Sequence, residues 1–229
     1  RERSIDADAV AARLAACTER HDVLMAKRAA EHAEARKSTP IDPVWLCACI
    51  GEVMPKGTTY VDEVTTHTGL VRQHLMWNEP QAIFSRQGGL GQGLGLSLGV
   101  KLAKPDSPVV TIIGDGAFLY NPVLQALGAS RDFELPIMAV IFNNTKYSAM
   151  QGMHLKMYPD GISVDTDVFH GTHINAPDFT KVAEAFGAYG ERVEDPEQVQ
   201  QALENGLRAM EEGRSAIIDV AIKDFQRPN

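Results

Sequence analysis

Residues 114–144 read GDGAFLYNPVLQALGASRDFELPIMAVIFNN, and this stretch decides the fold. Immediately upstream, Val109, Val110, Thr111, Ile112 and Ile113 form a β-branched run with the signature of a buried strand. Gly114, Asp115 and Gly116 end that strand and set a carboxylate between two glycines, where bare backbone lets a ligand come close. Asn121 and Pro122 predict the start of a helix, as N-cap and first-turn proline. A second strand is expected over 137–142, running into Asn143 and Asn144. In a parallel sheet both strands end on the same carboxyl edge, where ligands of open α/β sheets bind. One carboxylate and one or two amides therefore meet there, although they are far apart in sequence. Such oxygen ligands suit a hard cation such as Mg²⁺ holding a phosphate group.

Composition narrows the class. A chain of 229 residues suggests one domain, with or without an appendage, and buries roughly 70% of its unfolded surface without needing staples. The apolar share of 44% and charged share of 23% are those of an ordinary soluble protein. A net charge of −8 argues against a nucleic-acid footprint, which is basic. No uninterrupted apolar run reaches membrane-spanning length, and Arg1, Glu2 and Arg3 do not lead into a signal-peptide core. Three cysteines make no disulfide framework, and Cys47 and Cys49 share one helical stretch. Reduced, buried thiols and a cytoplasmic setting are expected.

Residues 4–37 read as helix, capped by Asp6, with Ile5 and Val10 placed as a hydrophobic staple and Val10, Leu14 and Cys17 as an apolar stripe. Beyond His21 it becomes charged with both signs, as a solvated connector does. Pro40 and Pro43 mark a boundary, giving a connector over 1–40 and a domain over 41–229. Helix and strand then alternate: a helix from Pro43, strands over 58–61 and 82–85, the pair described above, a helix capped by Asp178, a strand over 189–193, a helix over 195–210 and a strand over 216–222. The expected architecture is α/β: a doubly wound, mainly parallel six-stranded sheet with helices on both faces. Residues 145–177 read as long and irregular, and segments of that kind are usually functional or mobile.

The glycine run GGLGQGLGLSLG, residues 88–99, fails two phosphate-loop tests. At the third glycine position of a dinucleotide fingerprint stand Leu94, Leu96 and Leu98, and Lys101 follows Val100 rather than the glycine of a Walker loop. Gly95 and Gly99 are expected to let a helix lie close to the sheet, and the turn at 88–91 carries the functional reading.

The spacing Gly-Asp-Gly, 26 residues, Asn-Asn, in its strand–helix–strand context, resembles the thiamine diphosphate (ThDP) motif. Residues 41–224 look like the diphosphate-binding (PP) domain of ThDP-dependent decarboxylases and carboligases, of the acetolactate synthase and benzoylformate decarboxylase kind. Residues 1–40 resemble the connector that precedes it. The resemblance implies Asp115, Asn144 and the backbone carbonyl of Lys146 as Mg²⁺ ligands, with Asn143 structural. It implies diphosphate contacts at Gly114, Gly116 and Ala117, where Ala117 stands in place of a frequent serine. Thr65 and Thr66 match hydroxyl residues that bind diphosphate, although capping a helix would serve equally. Gly89 and Leu90 lie in the turn that meets the pyrimidine, and Leu90 matches the catalytic wedge that bends the cofactor. Tyr120 and Tyr147 match positions near the cofactor, with packing as their other reading.

The implied function is decarboxylation or carboligation of a 2-oxo acid, with ThDP and Mg²⁺ as cofactors. Residues alone do not choose between the two outcomes. His67, His154, His170 and His173 are candidate acids or bases. The implied partner is a pyrimidine-binding domain, of this or another chain, that supplies a glutamate, within a homodimer or homotetramer. Glu52 and Glu63 are the nearest substitutes for that glutamate in this chain. Alternatives are a non-catalytic cofactor-binding subunit of a split enzyme and another nucleotide-binding α/β protein.

Overall fold

The computed structural model describes residues 6–77, 79–85 and 88–224. The expected staple residue Ile5 lies outside them. The elements in order are α1 (Ala7–Ala35), α2 (Pro43–Val53), β1 (Thr59–Glu63), α3 (Thr68–His74), β2 (Ile83–Ser85), α4 (Gly93–Ala103), β3 (Val109–Gly114) and α5 (Asp115–Tyr120). There follow α6 (Val123–Asp132), β4 (Met138–Asn143), α7 (Ser148–Met157), α8 (Ile162–Thr166), α9 (Phe179–Glu184), β5 (Tyr189–Val193), α10 (Val199–Glu211) and β6 (Ala216–Ala221).

Among the described residues the strands form one six-stranded sheet in the order β2-β1-β3-β4-β6-β5, with every neighbouring pair parallel. The expected α/β fold class is therefore the observed one. The side-chain alternation of the central strands builds two cores. Val110, Ile112, Met138, Val140 and Phe142 face α2 and α10, together with Leu46, Ile50 and Leu203. Val109, Ile113, Ala139 and Ile141 face the opposite way, against Leu94, Phe118, Leu127 and Phe179. The chain leaves β1 on one side to make β2 and returns on the other to make β3. That reversal opens a crevice between the carboxyl ends of β1 and β3.

Helix α1 leans on this body only near its C-terminal end. His32 Nε2 lies 3.2 Å from His74 Nδ1, and the Arg36 guanidinium sits 5.4 Å over the Trp45 ring. Asp6 caps it as expected, accepting from the amides of Asp8 and Ala9. Its anticipated apolar stripe is exposed at Val10, Leu14 and Cys17, so only Cys47 and Cys49 are the buried thiols. Burial pushes both of those thiols well above the ordinary range. Among the described residues no helix is long and apolar enough to cross a membrane.

Three local expectations fail for tertiary reasons. Helix α6 begins at Val123 with Pro122 at its N-cap position and no side-chain cap. Asn121 instead turns inward, donating to Glu63 Oε2 and the Ala117 carbonyl and accepting from the Leu94 amide. Gly95 and Gly99 are exposed, with open space where a Cβ would stand. The close approach falls at Gly93, whose Cβ would meet Glu63 Oε2 at 2.6 Å and Thr111 Cγ2 at 3.3 Å. The segment expected to be irregular contains α7 and α8. Met150, Met153, Met157, Tyr158 and Ile162 stay exposed there, so these two helices show no apolar core face in the sequence.

Two glycines test the packing in opposite directions. A Cβ on Gly190 would come to 2.7 Å from the Thr180 carbonyl oxygen and 2.8 Å from the Thr180 Cα. Gly190→Ala should therefore destabilise the chain by about 1–3 kcal/mol. Gly95→Ala, in open space within a helix, should stabilise it by about 0.5–1 kcal/mol. Urea midpoints of the two variants check both signs.

Candidate functional site

The crevice at the strand reversal is built from two buried carboxylates in very different circumstances. Glu63 ends β1, paired in register with Ile113 of β3, and is 1% exposed. Its Oε1 accepts from the amides of Gly91 (2.7 Å) and Gln92 (3.1 Å). Its Oε2 accepts from the amide of Gly93 and the Asn121 carboxamide, both at 2.8 Å. The next amide, Leu94, goes to Asn121 Oδ1 at 3.0 Å. The first two amides of α4, Gly93 and Leu94, are thus met from inside the protein. Glu63 has no lone pair left to serve as a proton carrier, and Glu52 is bonded to Gln200 outside the crevice. Both are excluded as the substitute glutamate.

Asp115 follows β3 and is 2% exposed. Its Oδ1 accepts from the Gly116 amide at 2.8 Å. Its Oδ2 is the one buried side-chain oxygen or nitrogen without a hydrogen-bond partner among the described residues. Burial is the main cause that pushes the Asp115 pKa up from 3.8 to about 6. An orphaned, desolvated carboxylate oxygen is in deficit, and a cation would relieve it.

The end of β4 supplies the neighbouring donors. The Asn143 carboxamide donates to Asp219 Oδ1 at 2.9 Å, and its Oδ1 accepts from the Thr145 amide at 3.1 Å. Arg192 Nη1 meets the other oxygen of Asp219 at 2.6 Å. Asn143 therefore sits in a structural network. That network steadies Thr145 in the left-handed region, at φ 56°, and turns the chain towards Asn144 and Lys146. Asn144 Oδ1 accepts from the Lys146 amide at 3.2 Å, and its Nδ2 donates to Ser148 Oγ at 2.7 Å. The Lys146 ammonium is paired with Asp224. Among the described residues no group of three His, Cys, Asp or Glu side chains could hold a metal. A cation here needs a mixed set of carboxylate, amide and carbonyl oxygens.

The cleft around Asp115 is lined by Thr65, Thr66, Leu90, Gly114, Gly116, Ala117, Asn144, Lys146 and Tyr147, together with Glu63 and His67. Of the sequence-derived site residues, Gly89 and Tyr120 stand outside this lining. Tyr120 is 60% exposed, with its ring centroid 6.2 Å from that of Tyr147. Thr65 and Thr66 do not cap α3, whose N-cap position is His67 and which has no side-chain cap. The backbone over Gly114 is open, but a Cβ on Gly116 would lie 2.5 Å from Tyr147 Cε1. Tyr147 thus covers Gly116 and narrows the cleft to about 60 Å³. His67 is buried against Phe142, and that burial drops its pKa to about 4, so the ring is neutral at ordinary pH. His154 packs on Tyr158 and Phe169, His173 is bridged to Lys146, and His170 is exposed; none of these three lines the cleft.

A family model described as "Thiamine pyrophosphate enzyme, C-terminal TPP binding domain" matches residues 63–220, from the end of β1 to β6. The chain belongs to this family. Among curated relatives, the acetolactate synthase large subunit of Buchnera aphidicola subsp. Schizaphis graminum is 28% identical over 83% of the chain and 32% of its own length. The acetolactate synthase isozyme 3 large subunit of Escherichia coli K12 is 30% identical over 74% of the chain and 29% of its own length. The solved ThDP-dependent 4-hydroxybenzoylformate decarboxylase of Rhodococcus jostii RHA1 superposes with a TM-score of 0.72 at 26% identity, over 83% of this chain and 34% of that one. The chain therefore spans about a third of the length of these proteins. Thiamine pyrophosphate is ThDP, so the family agrees with the cofactor class implied by residues 114–144.

Two features escaped the sequence reading. The Glu63 cluster joins residues 28 to 58 positions apart, and no local motif announces it. The Asp219 network left a visible trace, an aspartate inside the apolar strand AIIDVA.

The raised Asp115 pKa has a sign that can be tested. Between about pH 4 and 6 the folded state holds a proton that the unfolded state has lost. The stability of the metal-free chain contributed by this group is complete below about pH 4 and declines as the pH rises through 6. Asp115→Asn carries no such charge, so its stability relative to wild type should grow by about 2–3 kcal/mol between pH 4 and pH 7.5. Urea melts at the two pH values measure the change; a pH-independent difference would mean that Asp115 ionises normally.

Proposed function

We propose that this chain is the diphosphate-binding part of a ThDP- and Mg²⁺-dependent enzyme that decarboxylates or ligates a 2-oxo acid. The observation that carries the reading is the orphaned Asp115 Oδ2, buried at the carboxyl edge beside Asn144 and Lys146. In this reading Asp115, the Asn144 side-chain oxygen and the Lys146 backbone carbonyl hold Mg²⁺. Diphosphate oxygens and water would supply the remaining oxygen ligands of the hard cation.

The glycine-rich turn is the other candidate anion site, and its chemistry counts against it. The amides of Gly91, Gln92 and Gly93 already face the Glu63 carboxylate, which would repel a diphosphate. The diphosphate therefore belongs on the Asp115 side, over open Gly114 and within reach of the Thr65 and Thr66 hydroxyls. Gly116 and Ala117 belong to the same wall, and Tyr147 has to swing off Gly116 to admit the ligand. Tyr120 then flanks the opened cleft.

When bound, ThDP supplies a carbanion and an electron sink for breaking or making a bond next to a carbonyl. The residues of this chain bind and orient it. Leu90, half-exposed and lining the cleft with Gly89 before it, would be the apolar bulk that holds the cofactor in a bent form. Glu63 is taken up by four hydrogen bonds and Glu52 lies outside the crevice, so in this reading the carboxylate that meets the pyrimidine comes from a pyrimidine-binding domain across an interface. A homodimer or homotetramer in the cytoplasm, with residues 1–40 as the connector and 41–229 as the PP domain, completes the reading.

Two experiments test it. Calorimetry with ThDP and Mg²⁺ should give micromolar binding to the wild type and none to Asp115→Ala, while NAD and ATP give no heat with either; equal affinity of the two proteins for ThDP would reject the site. The isolated 229-residue chain, assayed with ThDP, Mg²⁺ and a panel of 2-oxo acids, should show no turnover until a pyrimidine-binding domain is added in trans. Substantial turnover by the chain alone would reject the half-site arrangement.

A further inference from the structure

Leu90 has little packing of its own, being 43% exposed, yet the backbone next to it is among the most constrained in the crevice. Gly91, the following residue, has φ +87°. A Cβ there would lie 2.4 Å from the Tyr120 carbonyl oxygen, so the turn is pressed against the end of α5. From the other side Glu63 gathers three consecutive amides, Gly91 to Gly93, at 2.7–3.1 Å. Asn121 closes the arrangement by bonding to Glu63, to Leu94 and to the Ala117 carbonyl.

We infer that Glu63 is a positioning residue that acts through Leu90: its buried carboxylate fixes the turn and so holds the Leu90 side chain at the cleft wall. The inference rests on the ThDP reading above and extends it to a residue that touches neither diphosphate nor metal in that reading. The chemistry needs a carboxylate and nothing else. Each oxygen accepts two hydrogen bonds, so the site wants four acceptor lone pairs. A carboxamide of the same shape would turn one oxygen into a donor facing an N–H group or Asn121. A half-exposed leucine whose turn is loosened samples other positions, and a bent cofactor needs its bulk in one place.

Glu63→Gln, made in the complete cofactor-loaded enzyme, separates the roles. Amide exchange at Gly91–Gly93 should quicken about tenfold, because the acceptor is weakened. Affinity for Mg²⁺ with ThDP should stay within about threefold of wild type, since Asp115, Asn144 and Lys146 are untouched. Exchange of the C2 proton of bound ThDP with deuterium, followed by NMR, should slow about tenfold. The double variant Glu63→Gln with Leu90→Ala should be no slower than Leu90→Ala alone, because both act at one point. If Glu63→Gln fails to fold, Gly93→Ala perturbs the same carboxylate by setting a methyl group at its Oε2, and the same split is expected. Faster amide exchange with unchanged C2 exchange would overturn the positioning role and leave the cofactor reading standing. Additive slowing in the double variant would overturn action through Leu90. Absence of ThDP binding in the wild type would remove the cofactor reading itself, and this inference with it.

Discussion

Two carboxylates buried at the carboxyl ends of the neighbouring strands β1 and β3 organise the crevice. A buried carboxylate must be compensated, and the protein compensates the two differently. Glu63 accepts four hydrogen bonds, three of them from the turn Gly91–Gly93 that leads into α4. Asp115 accepts one and keeps an orphaned oxygen. The first is closed chemistry and holds structure together. The second leaves a buried oxygen uncompensated within the described residues. Because the Gly91–Leu94 amides are met internally, the buried side-chain oxygen left without a partner among the described residues is on Asp115, not in the glycine-rich turn.

The sheet order makes that pairing possible. The chain reverses direction of travel between β2 and β3, so the ends of β1 and β3 flank a crevice with no crossover helix lying over it. β4 is the next strand out, and its end brings Asn143 and Asn144 to the same edge. What prevents that loop from drifting is remote in sequence. Asp219 of β6 grips the Asn143 carboxamide, and Arg192 of β5 neutralises Asp219. Thr145 can hold its left-handed conformation because Asn143 Oδ1 receives its amide.

What was legible in the sequence followed from how local each cause is. The strands were readable because β-branched runs such as Val109 to Ile113 are buried on both faces and need no partner to announce themselves. Asp115 was singled out by the whole spacing, Gly-Asp-Gly, 26 residues, Asn-Asn, in its strand–helix–strand context, because Asp-Gly by itself is usually just a turn. Asn121 was misread because an Asn-Pro pair resembles a helix start, and the local signal lost to two buried partners, Glu63 and the Leu94 amide. Gly95 and Gly99 were misread because a stripe of glycines does not say which one meets the sheet; Gly93, one turn earlier, does. In α7 the methionines face outward, so helical spacing carried no core signal. The roles assigned to Thr65, Leu90 and Lys146 came from resemblance, and local chemistry alone would not have singled them out.

The crevice thus has two walls. The Asp115–Asn144 wall is held by β3, β4 and the Asp219 network behind them. The Leu90 wall is held by β1 and α4 through Glu63. Pairing of β1 with β3 and the contact of Gly91 with the Tyr120 carbonyl already constrain the gap between the walls. Asn121 bridges it. Its carboxamide reaches the Ala117 carbonyl just beyond Asp115, the Glu63 carboxylate and the Leu94 amide at once. Three hydrogen bonds from one buried side chain thus tie the end of β1, the start of α4 and α5 together. That is a sufficient physical reason for an asparagine to face inward at a position where its local sequence favours a helix cap.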